Sequence, residues 1–274
     1  MFKIIIMALL IFIGMVGYDN ITDKAQSTTP VQQEQQKVSK HEKSAAMALF
    51  TSLLPPKEEW PSPVHKFYLA FNMDEVIDPI RQNPNWTSLD AMSRDIPQAL
   101  IAIEDHAFYN HGAIAVEGIL RAALANINAG EVVQGGSTLT QQFVKNVFLS
   151  HEQSMERKIE EAVLSLMLED NYSKDEILEL YLNTTYFGAG STGIKQASRT
   201  YFGKAPSALT LAEAAVIASL PYAPTSLNPL ENPEGCKKRQ LLVLAAMHKY
   251  GMINQGQLAE AKAEKIRLTN GTVM

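Results

Sequence analysis

Helix start and stop signals recur along this chain with little strand signal to compete with them, and this restricts the fold more than any other feature. Ser173 with Glu176, Thr210 with Glu213 and Asn254 with Gln257 each set a hydroxyl or amide three residues before a carboxylate or amide. That reciprocal pattern satisfies free N–H groups in a helix's first turn. Pro221 should end the second of these helices, and Gly251 one that begins near Lys237. Ile159, Ala162, Val163 and Leu166 fall at helical spacing and predict a helix from about Gln153 to Leu168 with that apolar face. Further helices are predicted over Ile96 to His106, over Val116 to Asn128 with Gly130 as its stop, and over Thr138 to Leu149. A turn at Gln134-Gly135-Gly136-Ser137 opens the last. One strand signal stands out, Lys66 to Phe71. The class is mainly α.

The 274 residues are 46% apolar and 19% charged, which excludes a disordered, collagen-like or polytopic membrane chain. A net charge of -5 argues against nucleic acid as a partner while leaving room for a local cationic site. A single cysteine, Cys236, permits no internal disulfide and no zinc cage. Ile4 to Val16 is an apolar run behind Lys3, about 20 Å long as a helix. It reads as a cleaved signal or a short anchor, and the lack of a small-x-small cleavage site favours the anchor. Either way the rest of the chain is exported. The organisation expected is residues 1–18 as anchor or signal, 19–63 as polar and Pro-rich linker, 64–268 as the globular domain and 269–274 as a tail.

Four clusters can carry chemistry. Glu104-Asp105-His106-Ala107-Phe108-Tyr109-Asn110-His111-Gly112 follows the apolar stretch Ala99 to Ile103. A buried carboxylate there would have a raised pKa and suit a general base; the plain alternative is a solvated helix end. Gly135-Gly136-Ser137-Thr138-Leu139-Thr140-Gln141-Gln142-Phe143-Val144-Lys145-Asn146 runs glycines into a helix start, where free N–H groups and Lys145 could meet an anion. It lacks the spacing of a nucleotide P-loop, and an ordinary capped turn is the alternative. Arg157, Lys158 and Glu161 share one helix face, either as a phosphate site with a carboxylate or as a surface ion-pair patch worth tenths of a kcal/mol. In Ile177 to Gly188, Tyr181 and Asn183 could bond a ligand or simply finish a helix.

Together and in order, these clusters resemble the peptidoglycan glycosyltransferases of glycosyltransferase family 51, the domain also found at the front of bifunctional penicillin-binding proteins. The family's segments are matched at Glu104, Asp105, Phe108, His111 and Gly112; from Gly135 to Asn146; at Arg157, Lys158 and Glu161; and from Ile177 to Gly188. A fifth is matched at Ala214 to Pro221, Ala223-Pro224 and Asn228-Pro229. The resemblance covers about Trp86 to Leu268. One departure is Ala115, where the family often has aspartate, which bears on how the next helix is entered. No serine lies three residues before a lysine and no Lys-Thr-Gly occurs, so the chain reads as a single-activity enzyme without transpeptidase chemistry.

The resemblance implies a lysozyme-like, two-lobed helical domain whose smaller lobe lies near a membrane. It implies polymerisation of lipid II into the growing glycan strand by β-1,4 transfer with release of undecaprenyl pyrophosphate. On that basis Glu104 is the base, and Glu161 orients cations or assists the leaving group. Asp105, Phe108, His111, Ser137, Thr138, Gln141, Gln142, Lys145, Asn146, Arg157, Lys158, Tyr181 and Asn183 would bind substrate. No metal ligands or cofactor are assigned, with a divalent cation (Mg or Mn) an option at the pyrophosphate. The partners implied are the membrane and other cell-wall synthesis proteins, not nucleic acid. The location implied is the bacterial cytoplasmic membrane, single-pass, with the catalytic domain outside. A lysozyme-like muramidase is the alternative enzyme, though hydrolysis gives no use for Lys145, Arg157 and Lys158. A non-catalytic precursor-binding scaffold is the other, and it would need no intact Glu104.

Overall fold

A computed structural model describes residues 68–69, 72–129, 135–150 and 154–274. All belong to the second of two units into which the chain divides, Lys66–Met274. The expected anchor and linker, and the turn positions Gly130 and Gln134, lie outside the described residues.

The described residues form ten α-helices and only isolated β-bridges. They are α1 Asp74–Arg81, α2 Asp95–Glu104, α3 Val116–Ala129, α4 Leu139–Phe148, α5 Met155–Asn171, α6 Lys174–Thr184, α7 Ile194–Phe202, α8 Leu211–Ser219, α9 Pro233–Lys249 and α10 Gln255–Ala263. The mainly α class expected from the sequence is therefore what forms. All three reciprocal caps are present, at Ser173, Thr210 and Asn254. α8 stops at Ser219, just short of Pro221, and Gly251 turns the chain after α9 at φ +73°.

Packing sorts the helices into two groups around one continuous apolar core. α2, α8 and α9 pack on one another, with α10 against α8 and α9. α4 packs on α5 and α6, and α7 touches both α6 and α8. α8 is buried from Ala212 to Ser219, around its whole circumference, which suits its lack of a polar face.

Several expectations give way to tertiary context. Tyr68 and Leu69 are helical, not extended: the Asn72 N–H reaches back 3.1 Å to the Tyr68 carbonyl and closes a turn. α9 begins at Pro233, ahead of Lys237, because the Asn232 side chain accepts the Gly235 N–H at 2.9 Å and proline suits the first helical position. Residues 269–274 are no loose tail. Ile266 and Met274 exchange backbone hydrogen bonds of 3.0 and 2.8 Å, folding the end back.

The helix α5 presents a different face from the one its apolar period suggests. Ile159 is 59% exposed and Leu166 46%, whereas Glu161, Leu164, Ser165 and Leu168 are buried. α3 likewise exposes Val116, Ile119, Leu120 and Ile127. At its entry the Ala115 carbonyl accepts the Ile119 N–H at 3.0 Å, so the backbone starts the helix without a capping side chain there.

Candidate active site

The segment Ser137–Lys145, the lead-in and first turns of α4, ties its own cluster to the other three. Asp105, where α2 ends, leaves helical geometry at φ -157° and ψ 70°. Its Oδ2 accepts the Leu139 N–H at 3.0 Å, and its Oδ1 lies 2.6 Å from His111 Nε2, while His111 Nδ1 bonds the Gly112 carbonyl. Asp105 and His111 thus clamp the end of α2 to the start of α4, and both Asp105 oxygens are occupied.

The start of α4 is closed by its own side chains. Thr138 and Gln141 form a reciprocal cap, each side chain bonding the other's backbone N–H at 3.1 Å, and Thr138 Oγ1 donates to the Ala113 carbonyl at 2.8 Å. Both residues are buried. The N–H groups of Thr138, Leu139 and Gln141 at this helix start thus have acceptors within the protein, the side chains of Gln141, Asp105 and Thr138. Phe108 is also fully buried, under the Lys174 ammonium 4.4 Å from its ring centre, and belongs to the core. Asn183 is equally committed: it bonds both backbone groups of Thr87 and the Glu179 carbonyl, each at 2.8 Å. These four side chains are bonded or packed within the protein itself.

Glu104 is the last residue of α2. The Gln142 Nε2 donates to its Oε2 at 3.0 Å, and the Tyr181 hydroxyl donates to Gln142 Oε1 at 3.0 Å. The buried Tyr181 phenol, its pKa pushed far up by desolvation, stays protonated and fixes which way the amide points. The other Glu104 oxygen takes no hydrogen bond from a described residue. Burial raises the Glu104 carboxyl above its ordinary value, against the Gln142 hydrogen bond and the Arg239 charge; Asp105 adds a smaller push up and Lys145 a smaller pull down. Lys145 and Asn146 are exposed, Lys145 with no ion-pair partner among the described residues.

Glu161 is 1% exposed, and both its oxygens are claimed. Lys158 Nζ bonds Oε1, and Arg157 Nη1 lies 3.4 Å from Oε2. Lys158 also donates to Ser137 Oγ at 3.1 Å, joining α5 to the lead-in of α4. Since the carboxylate is buried, this is not the surface ion-pair patch that sequence allowed. Buried Nε atoms of Arg157 and Arg239 have no partner, which leaves two guanidinium donors free.

Arg239 itself was not legible as a site residue. It stands in the run Lys237-Lys238-Arg239, which reads as a solvated helix face. Only the packing of α9 on α2 brings its charge to Glu104.

The sequence pattern that defines the transglycosylase family matches residues 73–248. A Cupriavidus necator protein provisionally named a transglycosylase is 41% identical over 194 residues, 71% of this chain and 84% of its own length. Penicillin-binding protein 1A of Neisseria flavescens is 44% identical over 68% of this chain, and that of Aquifex aeolicus 44% over 64%. The aligned stretches are only 23% and 24% of those two proteins. A solved penicillin-binding protein 1A from Haemophilus influenzae aligns at 33% identity over 48% of this chain and 16% of its own, with a TM-score of 0.34. The chain belongs to the transglycosylase family, glycosyltransferase family 51.

Proposed function

We propose that this protein polymerises lipid II into glycan strands by β-1,4 transfer, releasing undecaprenyl pyrophosphate, at the outer face of a bacterial cytoplasmic membrane. The observation that carries the reading is the state of Glu104. It is a carboxyl raised by burial, oriented by Gln142 and Tyr181, and left with one oxygen unclaimed. Such a group can take a proton from an attacking sugar hydroxyl near neutral pH. As that O–H bond is lost, a new bond forms from the hydroxyl oxygen to the donor's anomeric carbon. The bond from that carbon to the pyrophosphate oxygen breaks, and configuration inverts.

Charge grows on the departing pyrophosphate, so cations placed there act mainly on the transition state. Lys145 is exposed with no ion pair among the described residues, and Arg157 keeps an Nε unpartnered among them, so both have capacity for an anion. Glu161 holds Lys158 and Arg157 in place, the orienting role of the two that the family resemblance allowed. Gln142 and Ser137 act here by holding Glu104 and Lys158. A divalent ion, Mg or Mn, would in this reading arrive with the pyrophosphate oxygens, since no described residues cluster as a metal cage.

The exposed apolar side chains of α3 and α5 favour a membrane-facing surface, where a lipid-linked substrate would be met. No helix among the described residues is long and apolar enough to cross a membrane. The test is to incubate purified protein with lipid II in detergent and separate the products. Polymeric glycan supports the proposal; cleavage of finished glycan without polymer would replace it with the muramidase reading.

A further inference from the structure

Tyr222 lies in the turn after α8, between Pro221 and Ala223 of the family's fifth segment and not itself one of the matched positions, and it is 65% exposed. A large aromatic ring in that position needs a reason. The Arg239 guanidinium stacks over it, 4.1 Å from the ring centre. Arg239 makes no hydrogen bond or ion pair among the described residues, and its buried Nε has no partner. The ring is therefore what holds a cation whose donors remain free. Stacking suits this task, because a planar guanidinium binds an aromatic face without using its in-plane N–H groups.

The turn is itself fixed. Gly188 has φ +86°, and a Cβ there would lie 2.3 Å from the Pro224 carbonyl oxygen, so only glycine permits the close approach. The Tyr201 hydroxyl, donating to the Phe187 carbonyl at 2.8 Å, braces the same contact from α7.

We propose that Tyr222 is a positioning residue for glycosyl transfer, seating Arg239 of α9, the helix packed on the α2 that ends in Glu104, with its N–H donors unclaimed. The inference rests on the reading of Glu104 as the base. The groups that act on the Glu104 carboxyl are the Gln142 amide and Lys145 of α4, the adjacent Asp105, and Arg239 of α9. The buried Tyr181 of α6 also faces it, and the α8 acid Glu213 is paired with Lys204. Arg239 is the foremost cation in that set and favours the ionised base. Without the ring the long arginine side chain would sample solvent. An exposed cation–π contact shifts such an equilibrium about two- to fivefold.

The experiment is a double-mutant cycle on the full-length protein with Tyr222→Ala, Arg239→Met and both, plus Tyr222→Phe. Lipid II turnover is followed against pH, and melting is recorded. Tyr222→Ala should lower turnover about two- to fivefold and move the acid limb to higher pH, with melting unchanged. Tyr222→Phe keeps the ring and should restore both. In the Arg239→Met background, Tyr222→Ala should add nothing further. Additive losses, or a Tyr222→Phe as damaged as Tyr222→Ala, would overturn the inference. Glu104→Gln assayed in parallel separates the two readings. If it is active, the base assignment and this inference both fall; if it is inactive while the cycle is additive, only the role of Tyr222 falls.

Discussion

Two glutamates sit near the two ends of one short segment, and their surroundings differ in kind. Glu104, at the end of α2, is bonded by a neutral amide, keeps one oxygen open, and feels Arg239 and Lys145 without bonding either. Glu161, on α5, has both oxygens taken by Lys158 and Arg157. A carboxylate that cannot accept a proton without breaking an ion pair is suited to holding cations. One that is desolvated and half-free is suited to accepting a proton. In the proposed reaction the same residue type would serve two ends, with the difference lying in the neighbours.

The sharpest way to break this contrast is Glu104→Gln. Turnover should fall by about 100- to 10,000-fold, the usual range for a general base. Stability should move the other way. The folded state raises the Glu104 pKa, so the favourable, protonated form is fully present below the unfolded-state value and is lost as pH rises through the folded-state value. At neutral pH the glutamine variant should therefore melt at or above the wild type. For the wild type, turnover should decline as pH falls through the Glu104 value, which burial raises above that of an ordinary glutamate.

The cations sharpen the comparison. Lys145→Met and Lys158→Met should each slow turnover by about a hundredfold, or about 3 kcal/mol of transition-state stabilisation. Their melting should separate them. Lys145 is exposed and has no ion pair among the described residues, and its loss should change stability by less than about 0.5 kcal/mol. Losing Lys158 leaves buried Glu161 short of a partner, at a cost of about 1–3 kcal/mol. Equal melting in the two variants would show that Glu161 is not the buried anchor described here.

The smallest expected effect is on Thr138→Ala. As a buried cap residue Thr138 should cost about 1 kcal/mol of stability and little in KM for lipid II. A large rise in KM with unchanged melting would return Thr138 to the substrate side. The same logic applies to Gln141, its partner in the cap.

What the sequence determined by itself is what depends on a few neighbouring residues. The caps at Ser173, Thr210 and Asn254 form because the acceptor and the donor it satisfies lie within one helical turn. The order of the clusters was legible too, and so were the residue types that glycosyl transfer from a pyrophosphate-linked donor would call for. Tertiary structure decided which side of each helix meets the core. On α5 the apolar Ile159 faces out while Glu161 is buried, because its oxygens find Lys158 and Arg157 and the Ser165 hydroxyl bonds the Glu161 carbonyl at 2.6 Å. It also decided that Thr138 and Asn183 bond other segments and that Phe108 enters the core, while Gln141 pairs locally with Thr138. Arg239 is 135 positions beyond Glu104, and no local pattern records that pairing. Burial and long-range charge are properties of the packed helices, and they arise only when α9 comes to rest on α2.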